Sequence, residues 1–305
     1  MTSVLIEGGG LAGQVLHREL YLKGIASRLV EKTAFPREKV CGGCLQWDSW
    51  EYLNSIFALP KNIRIIRTIA HFWKGKQISR ITLSPPMVYV SRYILDETLN
   101  QQQQTLDFDP NHAMRVLASG ISSQKNKGDW LGFQGCSRPV DELEMHYGRS
   151  VYLGLSPASD TQSHMALIVK KSFFQNTEQL KNYVHDELRL DIEISKGTQS
   201  ISYDFFPSRS SQELAVGDAM LATQPFLGLG MKHAIQSARL MADLIASDKT
   251  DDYHAVHKKV FRKYHLANRI SGRIYDSSFQ SLFRLFVGNS LLVSKTYHWL
   301  HKTHP

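Results

Sequence analysis

Glycines at two distant places in the chain constrain its fold more than any other feature. The apolar run Ser3-Val4-Leu5-Ile6 is followed almost at once by Gly8-Gly9-Gly10-Leu11-Ala12-Gly13, a G-x-G-x-x-G motif. A strand, a tight glycine turn and a helix N-terminus in this order form a cradle for the pyrophosphate of a dinucleotide. We therefore predict a nucleotide-binding β–α–β unit at the start of the chain, with Gly8, Gly10 and Gly13 at its turn.

The residues that follow extend this unit. A helix is predicted from Gln14 to Lys23, ended by Gly24, and a second strand from Ser27 to Val30. Glu31 then lies 18 residues after the last glycine of the motif, where a carboxylate accepts hydrogen bonds from the ribose hydroxyls of an adenosine. Glu7 departs from the pattern, because an ionised carboxylate beside a pyrophosphate repels it. We expect Glu7 to turn aside or to be protonated.

A second glycine-rich stretch lies about 200 residues downstream. The predicted strand Leu214-Ala215-Val216 leads into Gly217, which allows a close approach of the backbone, and Asp218, which can accept hydrogen bonds from sugar-like hydroxyls. Pro225-Phe226-Leu227-Gly228-Leu229-Gly230 then precedes a helix predicted from Met231 to Ser247. The N-terminus of that helix would stabilise negative charge on a ligand.

Three shorter segments lie between these stretches. Arg37 precedes Cys41-Gly42-Gly43-Cys44, Val90-Ser91-Arg92 begins a predicted helix, and Ala118-Ser119-Gly120 follows a short apolar strand. With these residues the sequence resembles the flavoprotein monooxygenase and geranylgeranyl reductase superfamily, which has the p-hydroxybenzoate hydroxylase type of FAD fold. The last segment resembles a degraded form of the family's middle Asp-Gly motif, and the short span before it suggests a shortened member.

The resemblance implies an extended FAD site. In the family the Cys-Gly-Gly stretch runs past the flavin ring, the arginine that matches Arg92 lies near the cofactor, and the aspartate that matches Asp218 holds the ribityl chain. The residues expected to bind the cofactor are Gly8, Gly10, Leu11, Ala12, Gly13, Glu31, Lys32, Arg37, Gly43, Arg92, Gly217, Asp218, Pro225, Gly228, Gly230 and Met231. Candidates for the substrate pocket, none with an assigned role, are Cys41, Trp47, Tyr203, Phe226 and His233. Because the flavin carries the chemistry in such enzymes, neither a metal site nor a side-chain catalytic set is required, and we assign none.

The predicted fold class is α/β, with a Rossmann-like three-layer FAD-binding domain interleaved with an antiparallel β-sheet substrate region and followed by a helical C-terminus. The FAD-binding domain is expected over 1–60, 88–128 and 200–250, the substrate region over 61–87 and 129–199, and the C-terminal helices over 251–305. Strands are predicted at 130–134, 151–155 and 164–169, because these segments alternate or run apolar over strand lengths, and a helix at 180–190.

The pair Cys41 and Cys44 has a C-x-x-C spacing that admits two interpretations. A redox dithiol is one, since this spacing at a helix N-terminus lowers the pKa of a thiol. In the other, Cys41 belongs to the family's glycine-rich stretch and Cys44 replaces a glycine. A zinc site would need two more ligands at suitable spacing, which the sequence does not supply. Three cysteines also argue against a secreted disulfide framework.

The formal net charge of +8 is moderate, and the basic residues appear scattered apart from one cluster at 257–263. We interpret this cluster as the solvated face of a helix rather than a nucleic-acid site. The sequence has no run of 18 apolar residues, which is about the length needed to span a membrane. The first predicted strand begins so early that it leaves no room for a signal peptide. A cytoplasmic location is therefore expected. The C-terminal helices are expected to pack across the sheet domain, with peripheral membrane contact as the alternative; the oligomeric state stays open.

These observations predict an FAD-dependent oxidoreductase that uses NADH or NADPH. Its reaction would be either hydroxylation of an aromatic or polyketide-like substrate, or reduction of a C=C bond in a hydrophobic, prenyl- or lipid-like substrate. One alternative is a shortened, non-catalytic relative that binds a flavin or nucleotide. A second is a dithiol oxidoreductase that acts through Cys41 and Cys44.

Overall fold

Two β-sheets organise the computed structural model, which describes residues 3–123, 128–198, 213–271 and 277–302. The strands in chain order are β1 (Val4–Glu7), β2 (Ser27–Val30), β3 (Cys44–Gln46), β4 (Arg64–Trp73), β5 (Lys76–Tyr89), β6 (Met114–Leu117), β7 (Trp130–Ser137), β8 (Leu143–Gly148), β9 (Val151–Pro157), β10 (Ser163–Lys170) and β11 (Glu193–Gly197). The α-helices are α1 (Leu11–Leu22), α2 (Trp47–Ile56), α3 (Arg92–Gln101), α4 (Thr177–Leu188), α5 (Gly230–Ala246), α6 (Tyr253–Val260), α7 (Arg262–Ser271), α8 (Ser277–Gly288) and α9 (Ser290–His301). The predicted α/β fold class is confirmed.

The predicted elements have the expected type and differ mainly at their ends. The strands predicted at 130–134, 151–155 and 164–169 are β7, β9 and β10, and the helix predicted at 180–190 is α4. Helix α1 begins three residues earlier than predicted, at Leu11, because the extended Gly10 already serves as its N-cap. None of the helices in the described ranges is both long and apolar enough to cross a membrane.

The first sheet is parallel, with strand order β2-β1-β6. Residues 214–216 extend it beside β6, since the amide of Leu117 donates to Leu214 and the amide of Val216 donates to Leu117. The sheet and helices α1, α2, α3 and α5 share one apolar core. This arrangement places the carboxyl end of β1, the start of α1 and the segment after Val216 at one edge of the sheet.

Two glycines let the backbone segments at this edge approach closely. Gly8 has a φ of +118°, and a Cβ at this position would lie 2.5 Å from the carbonyl oxygen of Ala118 on the neighbouring strand end. A Cβ at Gly13 would lie only 1.9 Å from the carbonyl oxygen of Gly8. Both positions therefore require glycine for steric reasons, which explains the spacing of the motif.

The second sheet has eight strands in the described residues, in the order β11-β7-β10-β9-β8-β4-β5-β3. It is antiparallel apart from the parallel pair β4 and β8. The chain leaves this sheet after β5 to form α3 and β6, so the connection to β8 is long enough for a parallel pairing. One face packs on α4, and the opposite face packs on α8 and α9 through Phe283, Val287 and Val293. The expected packing of the C-terminal helices on the sheet is thus observed.

A buried histidine pair lies among α5, α6 and α7. His233 and His257 are fully buried, their Nε2 atoms are 3.0 Å apart, and the ring of Phe261 packs against both. Burial lowers the pKa of His233 to about 3 and that of His257 to about 2. The structure therefore places His233 in this helical core rather than at a substrate pocket.

We predict that Gly13→Ala lowers the free energy of unfolding by about 3 kcal/mol, because its methyl group overlaps a backbone oxygen that cannot move without distorting β1. Gly288→Ala is the matched control, since a Cβ there has no neighbour within 4 Å. Alanine also has a higher helix propensity than glycine, so this substitution should not destabilise α8. Urea unfolding of both variants measures the difference. Equal stability of the two variants would contradict the steric account.

The buried histidine pair predicts that acid destabilises the fold. The unfolded chain binds protons below about pH 6.5 that the folded chain, with its lowered histidine pKa values, does not. Stability should therefore fall as the pH decreases from about 6.5, and His257→Phe should flatten this slope by up to about 1.4 kcal/mol per pH unit. Leu180→Ala, in the separate core beneath α4, is the control, expected to lower stability by the same amount at every pH. Urea unfolding between pH 7 and pH 5 tests this, and an unchanged slope in His257→Phe would refute it.

Candidate functional site

Two cations converge on the glycine turn at the N-terminus of α1. A Cβ at Gly10 would lie 3.4 Å from Nζ of Lys39 and 3.9 Å from Nη2 of Arg37. No side chain caps the first turn of α1, so its backbone N–H groups are available to a ligand. Free amides, the positive end of the helix dipole and two nearby cations together form an anion site.

The acidic residue after β2 completes this turn. Glu31 accepts a hydrogen bond of 2.8 Å from the amide of Gly9 and lies 3.1 Å from Nη2 of Arg37. The Nε atom of Arg37 is buried without a hydrogen-bond partner. An orphaned buried donor costs free energy unless a ligand satisfies it, so its position beside the turn fits an anionic ligand. Lys32, the next residue after Glu31, is exposed.

Glu7 does not face the turn as an opposing charge. Its carboxylate forms a bidentate pair with Arg115, with Nη2 and Oε2 2.7 Å apart. The hydrogen bond from Arg115 lowers the pKa of Glu7 below its ordinary value, so the carboxylate is ionised and neutralised by its partner. Of the two expectations for Glu7, the structure shows the one in which it turns aside.

The two glycine-rich stretches meet directly. Gly217 has a φ of +61°, and a Cβ there would lie 2.9 Å from Cβ of Ala12 in the first turn of α1. Asp218 follows at the same place, and burial raises its pKa while the charges of Lys39 and Arg92 partly offset that rise. The sequence motifs that are 200 residues apart therefore border one site.

A buried ion pair supports this site from α3. Arg92 binds Asp96 through two hydrogen bonds of 2.7 and 2.8 Å, and both side chains are almost completely buried. Burial lowers the pKa of Lys39, and the nearby Arg92 charge lowers it further. Asp218 and Asp96 offset part of this shift, and a bound anion would stabilise the cationic form of Lys39 further. Sequence analysis missed Lys39, although its place two residues after Arg37 was the available signal.

The segment from Cys41 to Cys44 connects the two sheets, and side chains of the second sheet hold two of its carbonyls. The Nε2–H of His164 donates to the Cys41 carbonyl at 2.7 Å, and the Ser156 hydroxyl donates to the Gly42 carbonyl at 2.9 Å. Because His164 and Ser156 belong to β10 and β9, the second sheet curls over this segment. These contacts fix the backbone at the junction of the two halves.

The thiol of Cys44 is a weak nucleophile at neutral pH. Its Sγ lies 3.1 Å from the hydroxyl of Ser156, and burial raises its pKa to about 12, so the reactive thiolate is scarce at neutral pH. All three cysteines are free. Within the described residues, no group of three or more potential ligands is placed to hold a metal ion.

A cavity of about 300 Å³ lies on the far side of this segment. Its lining includes residues of the two motif regions, which are Cys41, Gly42, Gly43, Asp218, Pro225, Phe226, Gly228, Gly230 and Met231. It also includes apolar and aromatic side chains of the second sheet and of α8 and α9, among them Tyr147, Tyr152, Phe283 and Tyr297. The cavity thus joins the motif residues to an aromatic chamber.

One polar pair stands out in this chamber. His71 is 4% exposed, its Nδ1 lies 3.2 Å from the hydroxyl of Tyr147, and its Nε2 has no hydrogen-bond partner. Burial lowers the pKa of His71 to about 4, so the ring is neutral at pH 7. Sequence analysis did not identify this pair; the only signal was a polar residue at an inward position of a long strand.

The structure separates the predicted pocket candidates. Cys41 and Phe226 line the cavity, whereas Trp47 begins α2 and packs against the core of the first sheet. His233 lies in the helical core described above. Tyr203 lies outside the described residues.

Comparisons with known proteins show which folds resemble this one. No protein-family model and no curated protein sequence matches the chain. A geranylgeranyl bacteriochlorophyll reductase-like protein from Thermoplasma acidophilum is similar in structure, with a TM-score of 0.71, 17% identity, and coverage of 99% of this chain and 97% of that chain. HpxO from Klebsiella pneumoniae, solved with FAD and uric acid, has a TM-score of 0.72, 12% identity and coverages of 98% and 95%. A flavoprotein/dehydrogenase from Cytophaga hutchinsonii has a TM-score of 0.69, 15% identity and coverages of 98% and 94%. The chain therefore has the fold of the FAD-dependent monooxygenases and geranylgeranyl reductase-like proteins, as its sequence resemblance predicts.

Proposed function

We propose that this protein binds FAD non-covalently and is an FAD-dependent oxidoreductase for an aromatic substrate, with NADH or NADPH as reductant. The observation that carries the proposal is the convergence of Arg37 and Lys39 on the glycine turn, at one border of a site that continues through Asp218 into the aromatic cavity. An anion site that opens into an apolar chamber matches a cofactor with a diphosphate at its centre and a flat ring at its end.

The residues present fit each part of FAD. The amides at the start of α1, with Arg37 and Lys39, would hold the diphosphate, and Glu31 would hold the adenosine ribose. Asp218 would accept hydrogen bonds from the ribityl hydroxyls. The flavin ring would lie between the Cys41–Gly43 segment and the N-terminus of α5. When bound there, FAD would supply the hydride and oxygen chemistry of the reaction.

The protein's own groups orient the substrate and keep water away. The positive end of α5 would stabilise negative charge that develops at its N-terminus. His164 and Ser156 hold the Cys41–Gly43 backbone in place, and the aromatic walls exclude water from the chamber.

Among the polar groups that line this chamber, we infer that the neutral His71–Tyr147 pair helps to select the substrate. The unpartnered Nε2 of His71 can hydrogen-bond a phenolic hydroxyl or a ring carbonyl, while the surrounding aromatic rings pack against the substrate. A purely aliphatic chain would leave that nitrogen unsatisfied, at a cost of about 1–3 kcal/mol. This cost favours hydroxylation of an aromatic or polyketide-like substrate over reduction of a C=C bond in a prenyl chain.

The cofactor proposal predicts that the purified protein carries FAD or takes it up on titration, and that anaerobic NADH or NADPH bleaches its visible absorbance. Lys39→Met should weaken FAD binding by about tenfold or more, because it removes a charge-assisted contact to the diphosphate. Lys61→Met, at an exposed lysine outside the site, is the matched control and should bind like the wild type. A protein that takes up no FAD would refute the proposal, and bound FAD that no nicotinamide reduces would favour the non-catalytic alternative.

The substrate proposal predicts that phenolic aromatics bind more tightly than analogues without the hydroxyl, measured by the change they cause in the absorbance of the FAD-loaded protein. His71→Phe should reduce this preference roughly tenfold, because it removes the hydrogen bond but keeps an aromatic ring in the wall. Ile69→Val, on the same face of β4, is the control and should keep the preference. An undiminished preference in His71→Phe, with FAD binding intact, would contradict this role.

A further inference from the structure

The net charge of the chain lies in its C-terminal helices. Nine of the 36 lysines and arginines fall within 253–305, but only one of the 28 acidic residues, Asp276, does. This segment therefore carries the whole net charge of +8, and residues 1–252 are balanced. The other 27 lysines and arginines are scattered over residues 1–252, where 27 acids balance them, so the asymmetry arises from the scarcity of acids in 253–305.

The same helices expose large apolar side chains. Leu285 and Leu291 are 73% and 66% exposed. With Leu282, Leu292 and Trp299, which are also exposed, they form what we call the α8–α9 patch. An isolated exposed leucine needs no explanation, but five large apolar side chains on two consecutive short helices do.

Basic side chains accompany the patch. Arg284 lies between Leu282 and Leu285 in sequence and is exposed, and Lys295 is one helical turn from both Leu291 and Trp299. The ammonium group of Lys263, on α7, lies 5.3 Å from the ring centroid of Trp299. Leucine and tryptophan beside lysine and arginine, with no acidic residue within α8 or α9, is the composition of helices that lie in a membrane interface.

The opposite sides of α8 and α9 form the wall of the cavity. Phe283, Phe286 and Val287 of α8 and Val293 and Tyr297 of α9 line it. The aromatic chamber and the α8–α9 patch are thus separated by the thickness of one helix layer, about 10 Å. Binding of the protein to a surface through the α8–α9 patch would therefore bring the chamber close to that surface.

We propose that the α8–α9 patch docks on the surface of an anionic phospholipid bilayer, from which a lipophilic substrate reaches the chamber. Charge complementarity selects this occupant: a segment of net charge +8 is attracted to acidic headgroups, and the leucines insert between them. A second copy of the chain would place two such segments against each other, which is unfavourable. A nucleic acid would use the cations but not the leucines.

Vesicle flotation with the full-length protein tests the proposal. Wild type should bind vesicles of phosphatidylcholine with 30 mol% phosphatidylglycerol at least tenfold more tightly than vesicles of phosphatidylcholine alone, and 0.5 M salt should weaken this binding. Leu285→Gln/Leu291→Gln should reduce the binding at least tenfold. Arg284→Gln/Lys295→Gln should do the same, since each cation contributes about fivefold.

Matched controls use exposed residues from the electroneutral part of the chain. Leu22→Gln/Leu106→Gln removes two exposed leucines, and Lys61→Gln/Lys249→Gln removes two exposed lysines, so both should bind within twofold of wild type. Equal binding to both vesicle types, or unchanged binding of Leu285→Gln/Leu291→Gln, would overturn the proposal. The proposal would also be overturned if wild type were a dimer and Leu285→Gln/Leu291→Gln a monomer. Binding of wild type to a duplex oligonucleotide but not to vesicles would overturn it as well. The assay needs neither flavin nor substrate, so its outcome is independent of the proposed function.

Discussion

The close approach of three backbone segments at the N-terminus of α1 is the constraint on which the rest of the structure depends. Gly13 lets the helix pack on the end of β1, and Gly217 lets the downstream segment contact the first turn of the helix. Any side chain at either position would push these segments apart. Because they meet, the amides of α1, the cations of Arg37 and Lys39 and the carboxylate of Asp218 border one site.

The Cys41–Gly43 segment connects this site to the second sheet. It leaves the half that contains the first sheet, crosses to β3 and is held there by Ser156 and His164 of the curled sheet. A polar, charged environment lies on one side of the segment and an aromatic chamber on the other. This arrangement suits a reaction in which a charged cofactor must meet an apolar substrate without water between them.

The parts of the site that depend on local backbone sterics could be predicted from the sequence. The glycine motif and the strand before Glu31 impose conformations that few other residues tolerate, and their positions in the structure follow the prediction closely. Glu7 illustrates the limit of such reasoning, because its environment depends on Arg115, which lies 108 residues away.

The aromatic chamber could not be predicted in the same way. His71 and Tyr147 come together because β4 pairs with β8 in parallel across a long connection, and no local pattern specifies that pairing. His233 and Trp47 are aromatic residues close to the motifs in sequence, yet packing turns both toward apolar cores. Proximity in sequence to a motif therefore placed Cys41 and Phe226 correctly at the cavity, but not Trp47 and His233.

A crystal structure of the protein grown with FAD tests the central claim most directly. The account predicts electron density for a diphosphate within hydrogen-bond distance of the α1 amides, Arg37 and Lys39, and for the flavin ring beside Cys41–Gly43 with one face toward the aromatic chamber. FAD bound elsewhere, or a flavin ring directed away from the chamber, would contradict the account.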